Sequence, residues 1–302
     1  MSIENTWFHR RGELADGGWE SVVGRDTPGW QHTGIRVADL GEGDRVELTE
    51  TDVERIIVPL AGSFEVDHAD GDDSARTTLQ GRRSVFDGPT DVLYLPVGRT
   101  ATLTGRGRVA VAEAPASVRH PWRYIAAAET PVELRGAGSS SRQVHNFGTP
   151  QALDADRLIV CEVITPADNW SSYPPHKHDE HVPGHESRLE EIYYFESAPA
   201  AGSAASADTA FGMFSTYSSP AGEIDINAMV RTGDIALVPY GYHGPAVAAP
   251  GYDLYYLNVM AGPDPDRAWL ISDDSAHAWV RDTWADQRID PRLPYPNEEG
   301  RS

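Results

Sequence analysis

The chain has 302 residues, 40% of them hydrophobic, a formal net charge of -21 and one cysteine, Cys161. So acidic a surface repels phosphate backbones and anionic lipid head groups, which argues against nucleic acid and membrane as partners. A single cysteine makes no intrachain disulfide, MSIENTWFHRRGEL holds no apolar stretch fit for a signal peptide, and no run of about 18 apolar residues occurs. A cytoplasmic globular protein is the expectation.

The first half reads as strands. Residues 55–66 (RIIVPLAGSFEV), 92–96 (VLYLP) and 107–113 (GRVAVAE) are short, rich in β-branched or aromatic side chains, and bounded by turn formers. Residues 135–142 (RGAGSSSR) read as a small-residue linker, which divides the chain into domains at 1–134 and 135–302. The second half continues with strands at 157–164, 190–196, 211–217, 234–240 and 253–261, broken by an exposed loop over 198–209 (APAAGSAASADT). Only 266–287 carries a helical period, which predicts one or two short helices near the end. The pattern is an all-β sandwich or barrel with helical trim.

An internal repeat links the halves. Asp91-Val-Leu-Tyr-Leu-Pro-Val-Gly-Arg-Thr100 aligns with Asp234-Ile-Ala-Leu-Val-Pro-Tyr-Gly-Tyr-His243 at an offset of 143. Asp, Pro and Gly coincide, and the second copy ends in a histidine where the first has threonine.

Four of the 11 histidines, His176, His178, His181 and His185, fall within ten residues. His181 and His185 flank Pro183 and Gly184 and read as loop residues. On a strand, His176 and His178 point to one face, because side chains alternate. Two imidazoles on a barrel's inner face can share a divalent cation with a carboxylate, Glu190 or Glu191, and with the distant His243. Three nitrogens and one oxygen suit Zn, Mn, Fe, Co or Ni, and leave two positions for a chelating substrate.

The order HxH…E…H resembles the cupin superfamily. More narrowly, SSYPPHKHD, LEEIYYF, VPYGYHGP and AAPGYDLYYLNVMAG, with SVFDGPTDVLYLP in the first half, resemble the 5-deoxy-glucuronate isomerase family of inositol catabolism (IolB, within the KduI/IolB group). The resemblance implies a bicupin: two β-barrel or jelly-roll halves with a few short helices. It implies a metal-dependent isomerase that interconverts 5-deoxy-D-glucuronate and 5-dehydro-2-deoxy-D-gluconate, with His176, His178 and His243 as ligands. Related uronate ketol-isomerases align RLEEIYYF so that Glu190 is the carboxylate ligand, whereas the general cupin pattern favours Glu191; Glu190 is taken here. Eleven residues, Asp179 to Leu189, separate the second histidine from that carboxylate, more than in general cupins, and are a candidate lid.

The remaining glutamate, Glu191, and Tyr240, Tyr242 and Tyr255 are the acid/base candidates for moving a hydrogen from C2 to C1. Lys177 is a candidate cation for the substrate's carboxylate, although strand alternation turns it away from its neighbours; Arg157, Arg188, Arg231 and Arg267 are alternatives. The first half lacks His-x-His and reads as a barrel without metal, compatible with a role in packing or in a homo-oligomer. Trp269, Trp279 and Trp284 read as a packing strap. Rival readings of the same ligand set are an Fe-dependent bicupin dioxygenase and a non-enzymatic sugar-binding bicupin.

Overall fold

The computed structural model describes residues 6–296. In the first half, the strands Val53–Asp70 and Thr100–Pro115 run antiparallel along almost their whole length. A register shift between Pro59 and Ala61 bends this ribbon. Gly62 sits at the bend with φ +94°, where an added Cβ would stand 1.9 Å from the Arg106 carbonyl oxygen, so only glycine allows the two backbones to meet. The bend lets one eight-stranded sheet roll around Leu48, Phe64, Val66, Leu79 and Leu103, all fully buried.

The second half pairs a seven-stranded and a six-stranded sheet. Between them lie Tyr193, Phe195, Phe214, Ile226, Val238 and Tyr256. The alternate residues of the same strands, Ile192, Tyr194, Leu237, Tyr255 and Leu257, face the other way and join Ile56, Val58, Tyr94 and Ala112 of the first half in a third apolar layer. Strands such as Glu190–Pro199 and Tyr252–Ala261 are therefore covered on both faces, which is why they read as unbroken hydrophobic runs. Each fully buried Ile, Leu or Phe there contributes about 1.5–3 kcal/mol before conformational entropy is counted.

The two repeated segments occupy matching places. Val92–Leu95 pairs with Arg55–Ile57, and Ile235–Val238 pairs with Glu191–Tyr194, in the same direction and phase. Leu95 lies opposite Arg55 and Val238 opposite Glu191, so the repeat equates Arg55 with Glu191 and Glu54 with Glu190.

Two expectations need correction. The boundary at 134/135 cuts the strand Val132–Arg135, which pairs with Arg142–Gly148 in the second half's sheet, so the crossing falls between Arg123–Ile125 and Val132–Arg135. Phe8–His9, at the other end of the first half, also adds to that sheet through Ile235 and Ala236. Residues 135–142 are no free linker: Ser140, Ser141 and Arg142 are buried. Within 266–287 one short helix does form, the 3-10 stretch Ala278–Asp286, while Ser272–Asp273 forms a ladder with His176–Lys177. The loop over 198–209 is largely exposed, as its composition demands.

Candidate metal centre

His176 and His243 face one another across an antiparallel pairing, which brings residues 67 positions apart in sequence to one spot. His178 follows two residues later, and Glu191 comes from the adjacent wall of the barrel. Glu191 Oε2 lies 3.0 Å from His178 Nε2 and 3.0 Å from His243 Nε2. All three residues are buried, and their ligand atoms lie within 4.8 Å of one another. His176 stands at the edge of this group, its ring centroid 4.5 Å from that of His243 and 6.3 Å from that of His178.

The histidines are oriented alike. Nδ1 of His178 lies 3.0 Å from the Leu189 carbonyl, Nδ1 of His243 3.2 Å from that of Gly241, and Nδ1 of His176 3.3 Å from that of Pro174. A carbonyl only accepts, so each Nδ1 carries a proton; in a neutral ring Nε2 keeps its lone pair, whereas at His178 burial is outweighed by the hydrogen bond to Glu191, which raises the pKa and favours the protonated ring. His243 Nε2 is buried and, despite its closeness to Glu191, makes no hydrogen bond of good geometry. Burial would raise the Glu191 pKa, but His178 and His243 outweigh it and hold the carboxyl at about 2. Burial, and then His243, drive His176 well below its ordinary value, towards the neutral form. Imidazole nitrogens converging on a permanent carboxylate, with the buried His243 Nε2 unsatisfied, fit a divalent cation once His178 gives up the proton it shares with Glu191.

Glu190 is not part of this group. Neighbouring residues on a strand face opposite ways, and Glu190 turns to the first half, where it accepts hydrogen bonds from the backbone N–H groups of Gln31 and His32. The acid/base candidates do not gather at one spot. Glu191 lies at the centre of the cluster. Tyr255 faces the layer between the halves, its hydroxyl donating to Glu162 Oε2 at 2.7 Å. Tyr242 stacks on Tyr217 at 5.1 Å, and Tyr240 packs beside Gly222, where an added Cβ would stand 2.4 Å from the ring.

Lys177 points away from the histidines, as alternation requires. Its ammonium is held by Asp179 at 2.7 Å, Glu180 at 2.7 Å and Glu186 at 2.8 Å. It therefore occupies the centre of the second carboxylate cluster, Asp179, Glu180 and Glu186. Glu186 also accepts from the backbone of Asp179 and Glu180, pinning residues 179–189 into a turn rather than a lid over the cavity. Arg157 and Arg188 are tied to Asp264, Arg231 bonds to the Ala210 carbonyl, and Arg267 spans three backbone carbonyls.

A cavity of about 190 Å³ opens against His176 and Glu191. Its lining includes Tyr193, Tyr256 and Ser172, which sequence reading missed. Tyr256 is the neighbour of the expected Tyr255 and lies on the barrel face; strand phase was the available signal. Ser172 Oγ lies 3.1 Å from the Tyr256 hydroxyl and 3.3 Å from that of Tyr193. A larger concavity of about 1220 Å³, along Phe8, Arg25 and Arg36, does not touch His176, His178 or His243.

In the first half the places of Glu191 and His243 are held by Arg55 and Thr100. Arg55 is fully buried and bonds Glu113 at 2.6 Å. A guanidinium there supplies positive charge from the protein itself, so this half offers no cation site at the matching position.

Two fused β-barrels, one of them carrying a buried histidine–carboxylate cluster, define the class: a bicupin with one metal-type centre. The same fold is seen in oxalate decarboxylase from Lactobacillus farciminis, with a TM-score of 0.60 at 11% identity over 90% of this chain and 89% of that one. Within that class the chain belongs to the KduI/IolB family, whose model matches residues 7–280. It is 40% identical over 271 residues to 5-deoxy-glucuronate isomerase of Geobacillus thermodenitrificans, covering 87% of this chain and 93% of that one. It is 36% identical over 250 residues to the enzyme of the same name from Bacillus subtilis strain 168, covering 82% and 86%. An IolB-like protein from Salmonella typhimurium LT2 superposes with a TM-score of 0.78 at 33% identity, over 91% of this chain and 98% of that one.

Proposed function

We propose that this protein is a metal-dependent 5-deoxy-glucuronate isomerase that converts the aldose acid to 5-dehydro-2-deoxy-D-gluconate. The observation that carries the metal site is Glu191 Oε2 standing 3.0 Å from the Nε2 atoms of both His178 and His243, beside a cavity sized for a small molecule. Family membership supports the substrate. His178, Glu191 and His243 would hold one divalent cation of the Zn, Mn, Fe, Co or Ni group, with His176 completing the set. When bound, the cation supplies Lewis acidity towards the sugar's carbonyl and adjacent hydroxyl.

The chain's own groups do the rest. Burial raises the pKa of both Tyr193 and Tyr256, so each hydroxyl keeps its proton and donates to sugar oxygens. Ser172 fixes the two hydroxyls relative to one another, which limits the orientations the sugar can take. The closed apolar layer behind Tyr193 keeps bulk water from the reacting carbons.

The test is proton NMR of 5-deoxy-glucuronate with purified protein in D2O without oxygen, before and after chelation. Chelator-sensitive conversion to the 2-keto acid is expected. No conversion with metal bound would reject the isomerase, and a requirement for oxygen would support the dioxygenase reading instead.

A further inference from the structure

The cavity that meets Glu191 also meets three arginines, Arg135, Arg142 and Arg281. Two have carboxylate partners. Arg135 bonds Glu133 at 2.7 Å and 3.0 Å, and Arg281 is forked onto Asp273. Arg142 has none among the described residues: its Nη1 donates to the Ser140 carbonyl at 3.0 Å, and no acidic group lies within ion-pair distance. Yet Arg142 is only 5% exposed. In a chain with 46 acidic residues, a buried guanidinium left without a counter-charge is costly and calls for an anion from outside.

The surroundings are built to hold it. Gly136 has φ +76°, and an added Cβ would stand 2.7 Å from Arg142 Nη1 and 2.2 Å from the Ser140 oxygen. Trp284 lies under both Arg142, at 5.5 Å, and Arg281, at 5.3 Å, while Trp269 lies under Arg135 at 5.5 Å. A guanidinium held over an indole by cation–π attraction is restricted in position before a ligand arrives. The indole Nε1 of Trp269, which also lines the cavity, is buried without a hydrogen-bond partner. The small-residue run RGAGSSSR is thus a cradle for a cation, with its two arginines at either end.

We propose that Arg142, assisted by Arg281 and Arg135, is the residue that binds the carboxylate of the sugar acid and so selects uronates over neutral sugars. The proposal deepens the isomerase reading and rests on the same cavity. A fork presented by a guanidinium suits the two oxygens of a carboxylate, and His176 and Glu191 line the same cavity as Arg142, so an acid held by Arg142 shares that space with the histidine cluster.

The test is titration calorimetry of the metal-loaded protein with D-glucuronate and with D-glucose, its neutral counterpart. Wild type should prefer glucuronate. Arg142→Gln should weaken glucuronate binding at least roughly 30-fold while glucose binding and bound metal stay unchanged. Arg142→Lys, which keeps the charge and loses the fork, should fall between. Should Arg142→Gln fail to fold, the half-exposed Arg281→Gln should still lower affinity several-fold. Equal wild-type affinity for both sugars, or undiminished glucuronate binding in Arg142→Gln, would overturn the proposal. Arg142-dependent glucuronate binding in a protein that does not isomerise 5-deoxy-glucuronate would leave it standing and reject the isomerase reading alone.

Discussion

Glu54 and Glu190 hold equivalent positions in the two halves, and each carboxylate grips backbone N–H groups of the opposite half. Glu54 accepts from Asp156, Arg157 and Leu158 at 2.9, 2.6 and 2.7 Å, and from the Tyr94 hydroxyl at 2.7 Å. Glu190 accepts from Gln31 at 3.1 Å and His32 at 2.6 Å. The gripped segments lead into Gly34–Leu40 and Ile159–Thr165, which occupy matching sheet positions next to Thr100–Pro115 and Tyr252–Ala261. The halves are stapled reciprocally. Removing a charged acceptor strands the buried donors of Leu158 and Tyr94 and several part-buried ones, so Glu54→Ala should cost about 3 kcal/mol or more, and Glu190→Ala, whose donors are only part-buried, about 2 kcal/mol. Urea unfolding checks both; a loss below about 0.5 kcal/mol for Glu54→Ala would refute the staple.

The same pair separates structure from chemistry at adjacent positions. Glu191→Gln removes the permanent charge among three histidines, and bound metal should fall with an affinity loss of roughly 10-fold or more, together with activity. Glu190→Gln should keep its metal and lose only stability. Elemental analysis of the two purified variants decides the matter, and metal loss confined to Glu190→Gln would reverse the assignment.

How much of this was legible in the sequence depends on what each residue's neighbours decide. The all-β class, the repeat and the His-x-His pair follow from local period and spacing. The choice between Glu190 and Glu191 turns on strand phase, a one-residue matter that flips every side chain. Pairing of Glu191 with Val238 fixes that phase, and it is a contact between distant segments. Tyr255 and Tyr256 were confused for the same reason. RGAGSSSR read as a linker because glycine and serine suit both loose chain and tight packing, and only the fold brings Trp284 to Arg142. The helical period of 266–287 is realised over Ala278–Asp286, and no local pattern announces that Ser272–Asp273 pairs with His176–Lys177.

Lys177 gives a prediction on charge. Burial would lower its pKa, but Asp179, Glu180 and Glu186 outweigh that and raise it, so it stays protonated at every working pH. It can neither act as a base nor reach the cavity. Lys177→Met leaves two buried carboxylates, Asp179 and Glu186, without their cation. The melting temperature should drop by several degrees, while kcat of the folded enzyme at low temperature stays within about threefold. A loss of kcat by two orders of magnitude with unchanged stability would show that the lysine works on substrate.

A buried ion pair across the halves sets the acid limit. Arg82 of the first half meets Glu162 of the second at 2.6 and 2.7 Å, and Glu162 also takes His145 Nδ1 at 2.6 Å and the Tyr255 hydroxyl at 2.7 Å. Burial would raise the Glu162 pKa, yet Arg82 and then His145 hold it at about 2, below its ordinary 4.5. A carboxylate depressed in the folded state binds its proton more weakly there than when unfolded. Its contribution is therefore full above about pH 5 and is lost as pH falls towards 2. Arg82→Met leaves the charge on Glu162 half-compensated and should cost about 3–5 kcal/mol at pH 7. The variant's folded Glu162 should titrate higher, so its stability should fall less steeply between pH 5 and pH 3 than that of wild type. Adding Glu162→Gln should recover part of the loss, because the uncompensated charge is gone. Urea midpoints of the three proteins at pH 7 and pH 4 test this, and parallel pH profiles for wild type and Arg82→Met would show that the pair does not set acid stability.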